Sequence, residues 1–318
     1  MKLLDRKQIS EALDLETALK RVEQSFRLYS KGQVTAPPVT YLGFENPPGD
    51  CHIKSAHLHG EPVFAIKVAT GFYDNPSQGL PSSNGLIIVI SATTGTPLAL
   101  LQDEGLLTDM RTGLAGVVAT SVARPNGFGA VGIVGTGIQA RLQLEYLHKL
   151  KGPVRARVWG RSPAAVEQYL DDLRAKGVEI EACDTVGDLC AECDTLITTT
   201  PATTPLLESD WVRAGTHITA IGADAEGKQE LDAHLFGRAS GVLVDSREQC
   251  IDHADTHHAV AAKIIEPDFP VEIGEALEGT SWQNNPAGDI TIADLSGLGA
   301  SDAIIAQAVL SAAKTPQQ

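Results

Sequence analysis

Six residues near the middle of this 318-residue chain, Gly135-Thr136-Gly137-Ile138-Gln139-Ala140, have the spacing of an anion cradle. A short apolar run, 131–134, leads into them, and an amphipathic helical pattern follows through Leu150. Gly135 lets the chain turn tightly at the end of a strand. Gly137 has no side chain to block a pyrophosphate, and Ala140 is small enough for the helix to pack on the strand. The first N–H groups of such a helix are unpaired and lie at the positive end of its dipole, which suits an anion. Gly135, Thr136, Gly137, Ile138 and Gln139 are therefore candidate dinucleotide contacts. A glycine turn in some other α/β sheet is the alternative. The β and α patterns that keep alternating toward the C-terminus favour the dinucleotide.

Four other positions carry chemistry-bearing side chains in telling surroundings. Lys67 lies in the run EPVFAIKVATGF, where a charge is costly unless it is paired or used. An edge lysine reaching water is the competing reading. Arg111 is the only arginine between Arg27 and Arg124 and sits among small residues of a helical pattern. Its guanidinium suits bidentate binding of a carboxylate, or it is a solvated helix residue. Asp224 comes two residues after Gly222, just past a strand-like run at 217–221. That is the ligand-facing end of a parallel sheet, although turns also favour aspartate. Asp302 opens the last helical pattern, where a plain helix cap is an equal reading.

The elements needed to position these groups can be read from periodicity. A helix is expected over 8–30, with Ser10 or Asp14 as its cap and Gly32 as its stop. Short strands are expected over 39–44, 51–58, 63–69 and 86–91, and a long helix over 106–124. From Ala130 the pattern is β-α-β. Strands are expected to end at 159 and to span 178–182, 195–199, 217–221 and 242–244, with a helix over 163–176. A loop over 279–289, a strand over 290–295 and a helix over 301–314 complete the chain. Consecutive β-α units imply an α/β protein with a Rossmann-type doubly wound parallel sheet, and the short strands before them, with one helix, imply a smaller α+β domain. The smaller domain is assigned to residues 1–124, joined by a C-terminal helix at 300–318, and the dinucleotide domain to 125–299.

In an NAD site an acid usually follows the second strand and holds the ribose 2′-hydroxyl. Here that strand ends Val158-Trp159-Gly160-Arg161-Ser162, with no acid. Arg161 and Ser162 are candidates for holding a 2′-phosphate, so NADP(H) is expected over NAD(H). A surface arginine that never touches the cofactor is the alternative.

Composition narrows the partners. The chain is 43% hydrophobic and 20% charged, with a net charge of −15. Such a balance repels phosphate backbones and argues against nucleic acid and anionic membranes. An anionic substrate would need a local basic pocket. No apolar stretch reaches the ~20 residues of a membrane span, and the start shows no signal-peptide core, so a cytoplasmic protein is expected. Five cysteines do not suggest a disulfide framework. Cys183, Cys190 and Cys193 lack a fourth metal ligand at matching spacing. His52, His57 and His59, and His253, His257 and His258, form no zinc signature, so no metal is expected.

The chain resembles the ornithine cyclodeaminase/mu-crystallin family over nearly its whole length. The resemblance rests on Ile66-Lys67-Val68 with Asn75-Pro76, on Thr108-Asp109-Met110-Arg111-Thr112, on the glycine turn, and on Gly222-Ala223-Asp224-Ala225-Glu226-Gly227-Lys228-Gln229-Glu230-Leu231-Asp232. That family includes cyclodeaminases, archaeal-type alanine dehydrogenases, imine reductases and mu-crystallin. The resemblance implies an NAD(P)-dependent oxidoreductase acting on the CH–NH or C=N bond of a small α-amino or α-imino acid. A cyclodeaminase that turns ornithine into proline and ammonia is the alternative. A non-catalytic, mu-crystallin-like binding protein is the reading from another class.

Under the resemblance, Lys67 binds the substrate carboxylate or polarises its nitrogen, Arg111 binds the α-carboxylate, Asp224 shuttles a proton and Asp302 lies near the cofactor. The resemblance also makes the smaller α+β domain the substrate-binding and dimerisation domain and implies a homodimer paired through it. Ornithine enzymes of the family carry a Glu ahead of the catalytic lysine. Lys54 stands there in this chain and would repel a terminal ammonium, or serve as a carboxylate partner. Glu61, the one nearby acid, is expected at a turn facing water.

Overall fold

Residues 54–58, 63–68, 86–90 and 98–102 alternate between more and less buried positions with a period of two, which suits strands covered on one face. The computed structural model of the chain describes residues 1–72, 74–279, 282 and 289–313. It divides into two compact units, Met1–Thr112 with Leu298–Gln318, and Gly113–Gly297.

In the first unit, strands β1 (Lys2–Asp5), β2 (Val34–Thr35), β3 (Thr40–Glu45), β4 (Pro48–Leu58), β5 (Val63–Phe72), β6 (Ser83–Ser91) and β7 (Pro97–Gln102) form one sheet. Its order is β1-β7-β6-β5-β4-β2, with β3 also paired to β4. The pairs from β3 through β7 are antiparallel, and β1 runs parallel to β7. The last helix, Gly299–Ala312, packs on β4 and β5 and against the helix Leu15–Ser30. Its sequence is apolar nearly all round, and it is buried nearly all round. Gly299 permits a close approach to β4, because a Cβ there would lie 3.3 Å from the Ser55 carbonyl oxygen.

The expected single helix over 8–30 is two helices, Arg6–Ala12 and Leu15–Ser30. Asp5 and Gln8 close a capping box on the first, and the Asp14 carboxylate accepts the Thr17 N–H at 2.9 Å on the second. Two strong start signals in one apolar pattern break it in two. Ser10 does not cap, since its hydroxyl donates to the Lys7 carbonyl. Strands β1, β2 and β7 were not expected from the sequence. The first two are too short to show alternation.

The second unit holds β8 (Ala130–Val134), β9 (Arg155–Trp159), β10 (Glu179–Ala182), β11 (Thr195–Thr198), β12 (Thr203–Leu207), β13 (His217–Ala220), β14 (Gln229–Leu231), β15 (Ala239–Val244), β16 (Val271–Glu272) and β17 (Ile290–Asp294). Eight of these form the doubly wound parallel sheet, in the order β10-β9-β8-β11-β13-β17-β15-β16. The strand order reverses between β8 and β11. Ligands of such sheets bind beyond the carboxyl ends of the strands at that point. Strands β12 and β14 pair separately as a small parallel ribbon, which the sequence reading did not foresee. The loop expected over 279–289 lies mostly outside the described residues, as does residue 314 of the expected last helix.

The boundary between the units falls inside the helix Leu106–Ala123, not after residue 124 as expected. The reason lies in its glycines. A Cβ on Gly113 would come 2.9 Å from the Tyr146 ring, and one on Gly116 would come 2.1 Å from Gln143 Oε1. The helix beyond Thr112 is therefore packed closely within the second unit. In that unit's interior His217 is fully buried and held between the hydroxyls of Thr291 and Thr219, at 2.9 and 3.0 Å. Burial pushes its pKa down to about 3, so it is a neutral core residue.

All five cysteines are free thiols. Among the described residues no three His, Cys, Asp or Glu side chains are placed to hold a metal ion. No helix of the described residues is long and apolar enough to cross a membrane.

Candidate active site

In the first unit the pleat of β5 turns Lys67 inward, and only 2% of it is exposed. Its register partner on β4 is Lys54, also buried. Like charges facing each other across two strands are destabilising unless an anion compensates. One compensating anion is Asp302, four residues into the last helix and 3% exposed. Its Oδ2 lies 2.9 Å from Lys67 Nζ. Its Oδ1 accepts the Nε–H of Arg111 at 2.8 Å. Arg111 is buried as well, on the second turn of the helix Leu106–Ala123.

Three of the four candidates from the sequence are thus joined through one carboxylate. Asp302 does not cap its helix, since residue 298 occupies the N-cap and makes no side-chain cap bond. Asp302 was expected near the cofactor, and what the structure gives it is two cations.

The electrostatics follow from burial. Desolvation pushes the Lys67 pKa down to about 7, with Arg111 and Lys54 adding to the effect and Asp302 opposing it. Burial also raises Asp302, but Arg111, Lys67 and Lys54 outweigh that and hold it below the ordinary carboxylate range. Nearby Asp103 is fully buried and pushed up by desolvation. Its Oδ2 accepts the Leu107 N–H at 2.8 Å and so anchors the start of the helix that carries Arg111. Glu61, expected to face water, accepts from Gln307 Nε2 on the last helix.

In the second unit the glycine turn follows β8. Gly135 has φ +116°, and a Cβ there would come 2.8 Å from Thr199 Oγ1, so only glycine fits. At Gly137 a Cβ would meet nothing within 4 Å. Gly137 is the N-cap of the helix Ile138–Lys151 and has no side chain with which to cap it. Open space over uncapped N–H groups suits a pyrophosphate. Ile138 is exposed beside this space, while Thr136 and Gln139 are half-buried. These features fit a dinucleotide.

Arg141, which sequence reasoning missed, braces the turn. One Nη donates to the Thr136 carbonyl, while Nε and the other Nη each reach Asp172 at 2.8 Å. Its guanidinium also lies 5.1 Å from the Tyr169 ring centre. The signal available was an arginine one turn past the glycines, which reads equally well as a solvated helix residue.

Arg161 and Ser162 follow β9 and are exposed, and Ser162 Oγ caps the helix Pro163–Arg174 by accepting the Ala165 N–H. Asp224 follows β13 and pairs with Lys228 at 2.6 Å. Lys228 was not singled out, although its i,i+4 spacing from Asp224 was visible.

Comparison with known proteins gives the same outline. The model of the ornithine cyclodeaminase/mu-crystallin family matches residues 1–316. An uncharacterised cyclodeaminase of Sinorhizobium fredii is 38% identical over 311 residues, covering 96% of this chain and 94% of the relative. The structure of Thermococcus litoralis Δ1-pyrroline-2-carboxylate reductase in complex with NADH and L-proline matches with a TM-score of 0.91 at 28% identity, covering 98% and 97% of the two chains. An archaeal alanine dehydrogenase dimer with bound NAD matches with a TM-score of 0.88 at 32% identity, covering 98% and 96%. The chain belongs to the ornithine cyclodeaminase/mu-crystallin family.

Proposed function

We propose that this chain is a nicotinamide-dependent oxidoreductase acting on the C=N or CH–NH bond of a small α-imino or α-amino acid. The observation that carries the reading is the buried set of Lys67 and Arg111 held on Asp302. Cations this deep suit a carboxylate ligand, in a chain whose net charge of −15 would otherwise repel one. The likeness to a pyrroline-carboxylate reductase and an alanine dehydrogenase supports the same class.

When bound, the dinucleotide supplies or receives the hydride. Gly135 through Gln139 would hold its pyrophosphate. Arg111 spends its Nε–H on Asp302, so its two Nη groups are the donors offered to the substrate carboxylate. Lys67 binds that carboxylate or the substrate nitrogen, and Asp224 exchanges the proton at nitrogen. A panel of cyclic and short imino acids, followed by loss of NAD(P)H absorbance, tests the class. Turnover of a pyrroline or piperideine carboxylate is the expected result, and no turnover with any member would defeat it.

A cyclodeaminase is the second reading, favoured by the Sinorhizobium relative. Lys54 weighs against ornithine as substrate. It lies buried across from Lys67, where a second ammonium would meet like charge, at a cost of several kcal/mol if the site is dry (roughly 4 at 4 Å and an effective dielectric of 20). Proline and ammonia should therefore not accumulate when L-ornithine and NAD(P) are supplied in that same assay. A binding protein without turnover would have little use for so costly a buried set of charges.

Lys67 also sets a pH dependence. The protonated amine binds a carboxylate, so substrate affinity is full below about pH 7 and weakens as pH rises through it. Asp302→Asn removes the partner that raises the Lys67 pKa. The weakening limb of the KM profile should then move to lower pH by about one unit or more. A limb that stayed in place or moved to higher pH would break the assigned coupling. Lys67→Ala should abolish the limb and turnover while leaving cofactor binding nearly intact.

NADP(H) is the preferred cofactor in this reading. No acid follows β9, and exposed Arg161 is available for a 2′-phosphate. Fluorescence titration should show NADPH binding more tightly than NADH, with the preference falling in Arg161→Ala. Tighter NADH binding by the unaltered protein would end this assignment.

The reading also includes a homodimer in the cytoplasm. Free thiols suit a reducing compartment. Strand β3 exposes Tyr41, Leu42 and Phe44, and an exposed apolar edge strand is a liability that a second copy removes. Sedimentation at micromolar concentration should give the dimer mass, and Leu42→Lys should shift it toward the monomer. A monomer for the unaltered chain would refute the pairing.

A further inference from the structure

Glu230 is fully buried on β14, and the proposed chemistry does not use it. Its carboxylate receives four donors. Oε1 accepts the Thr200 N–H and the Thr200 hydroxyl, the latter at 2.8 Å. Oε2 accepts the Thr198 hydroxyl at 2.7 Å and the Gly222 N–H at 2.8 Å. All four acceptor sites of an ionised carboxylate are then used. Two of the donors are backbone groups in different segments, Thr200 just past β11 and Gly222 just past β13.

The two segments are pressed together at that point. A Cβ on Gly222 would fall 2.1 Å from the Thr200 carbonyl oxygen and 2.6 Å from the Glu230 carboxyl carbon. The loop that leaves Gly222 carries Asp224 two residues on. It is closed at its other end by the Gln229 N–H, donated to the Ala202 carbonyl at 2.8 Å. Behind the clip, Asp255 Oδ1 accepts the N–H groups of Glu230 and Leu231, both at 2.8 Å, and so fixes the backbone from which Glu230 projects.

We propose that Glu230 is a positioning residue for Asp224: its carboxylate clips together the ends of β11 and β13 and thereby fixes the loop that presents the Asp224 side chain. This rests on the reading of Asp224 as the proton carrier. Glutamine cannot replace Glu230. Either orientation of an amide points its NH2 group at a backbone N–H, Thr200 in one case and Gly222 in the other, and neither can rotate away.

The test compares Glu230→Gln, Asp224→Asn and the double variant in the full-length protein. It follows single-turnover hydride transfer with NADPH and a cyclic imino acid, alongside NADPH affinity. Glu230→Gln should slow hydride transfer by about 100-fold, the scale of a misplacement near 1 Å, with NADPH affinity changed by no more than about threefold. The double variant should be no slower than Asp224→Asn alone, since a residue that acts through Asp224 has nothing left to position. Equal loss in both backgrounds would make Glu230 a structural residue only and overturn the proposal. So would a normal rate in Glu230→Gln beside a slow Asp224→Asn. A normal rate in Asp224→Asn would instead overturn the reading of Asp224 itself. Should Glu230→Gln fail to fold, Thr198→Val removes one donor of the four without changing shape. It should slow the same step by about fivefold, again only when Asp224 is present; an unchanged rate would overturn the clip.

Discussion

A carboxylate buried between two cations is the constraint on which the first unit is built. Asp302 comes from the last helix, Lys67 from the middle of the sheet and Arg111 from a third element. Removing one member of such a set leaves an uncompensated buried charge, at a cost of about 3–5 kcal/mol. The last helix must therefore return to the first unit and seat at one height. The rest of its design serves that end. Its apolar surface is buried nearly all round, Gly299 lets it approach β4, and Ser301 shares a 2.7 Å hydrogen bond with Ser25 deep in the interface. A polar pair and a close glycine contact limit sliding that an apolar surface alone would allow.

The second unit satisfies its buried acids by another means. Glu230, Asp255 and Asp294 accept from backbone N–H and threonine hydroxyl groups. Donors of that kind are fixed to strands, strand ends or a helix start, so each carboxylate acts as a clip for the backbone. Burial pushes Asp294 up to about 7 and Asp255 well above its usual range, with Asp245 and Glu230 adding to the first and Asp294 and Glu230 to the second. Clips suit a sheet whose task is to hold loops still. Cations would suit a site that accepts an anion from outside, as proposed for Lys67 and Arg111.

Local features were legible in the sequence and distant ones were not. The glycine turn could be read because its strand, its turn and its helix are contiguous, and the β-α alternation after it gave the parallel sheet. Lys67 stood out as one charge in an apolar strand. Its pairing with Asp302 could not be read, since the partners are brought together by a helix that returns after the whole second unit. Glu230 was hidden in the same way. The stretch Lys228-Gln229-Glu230-Leu231-Asp232 looks polar and exposed, and only the small β12–β14 ribbon, invisible in short strands, turns Glu230 inward. The helix break at Leu13 and Asp14 was missed for the opposite reason. A continuous apolar period concealed two local caps that compete with it.

The two cations on Asp302 are not equivalent, and the difference bears on how the proposed site would both bind and react. Arg111 gives its Nε–H to Asp302, which leaves a planar fork of donors suited to a carboxylate. Lys67, with a pKa near 7, changes charge near neutrality. A ligand anion arriving beside it adds a second negative charge to that of Asp302 and favours the ammonium. A substrate without that anion leaves the amine more readily neutral. In the proposed chemistry the carboxylate of an amino or imino acid would thus help to ready the lysine that meets it, while the arginine would keep the acid in place. That division needs one lysine and one arginine on a shared aspartate, and two arginines or two lysines would not provide it.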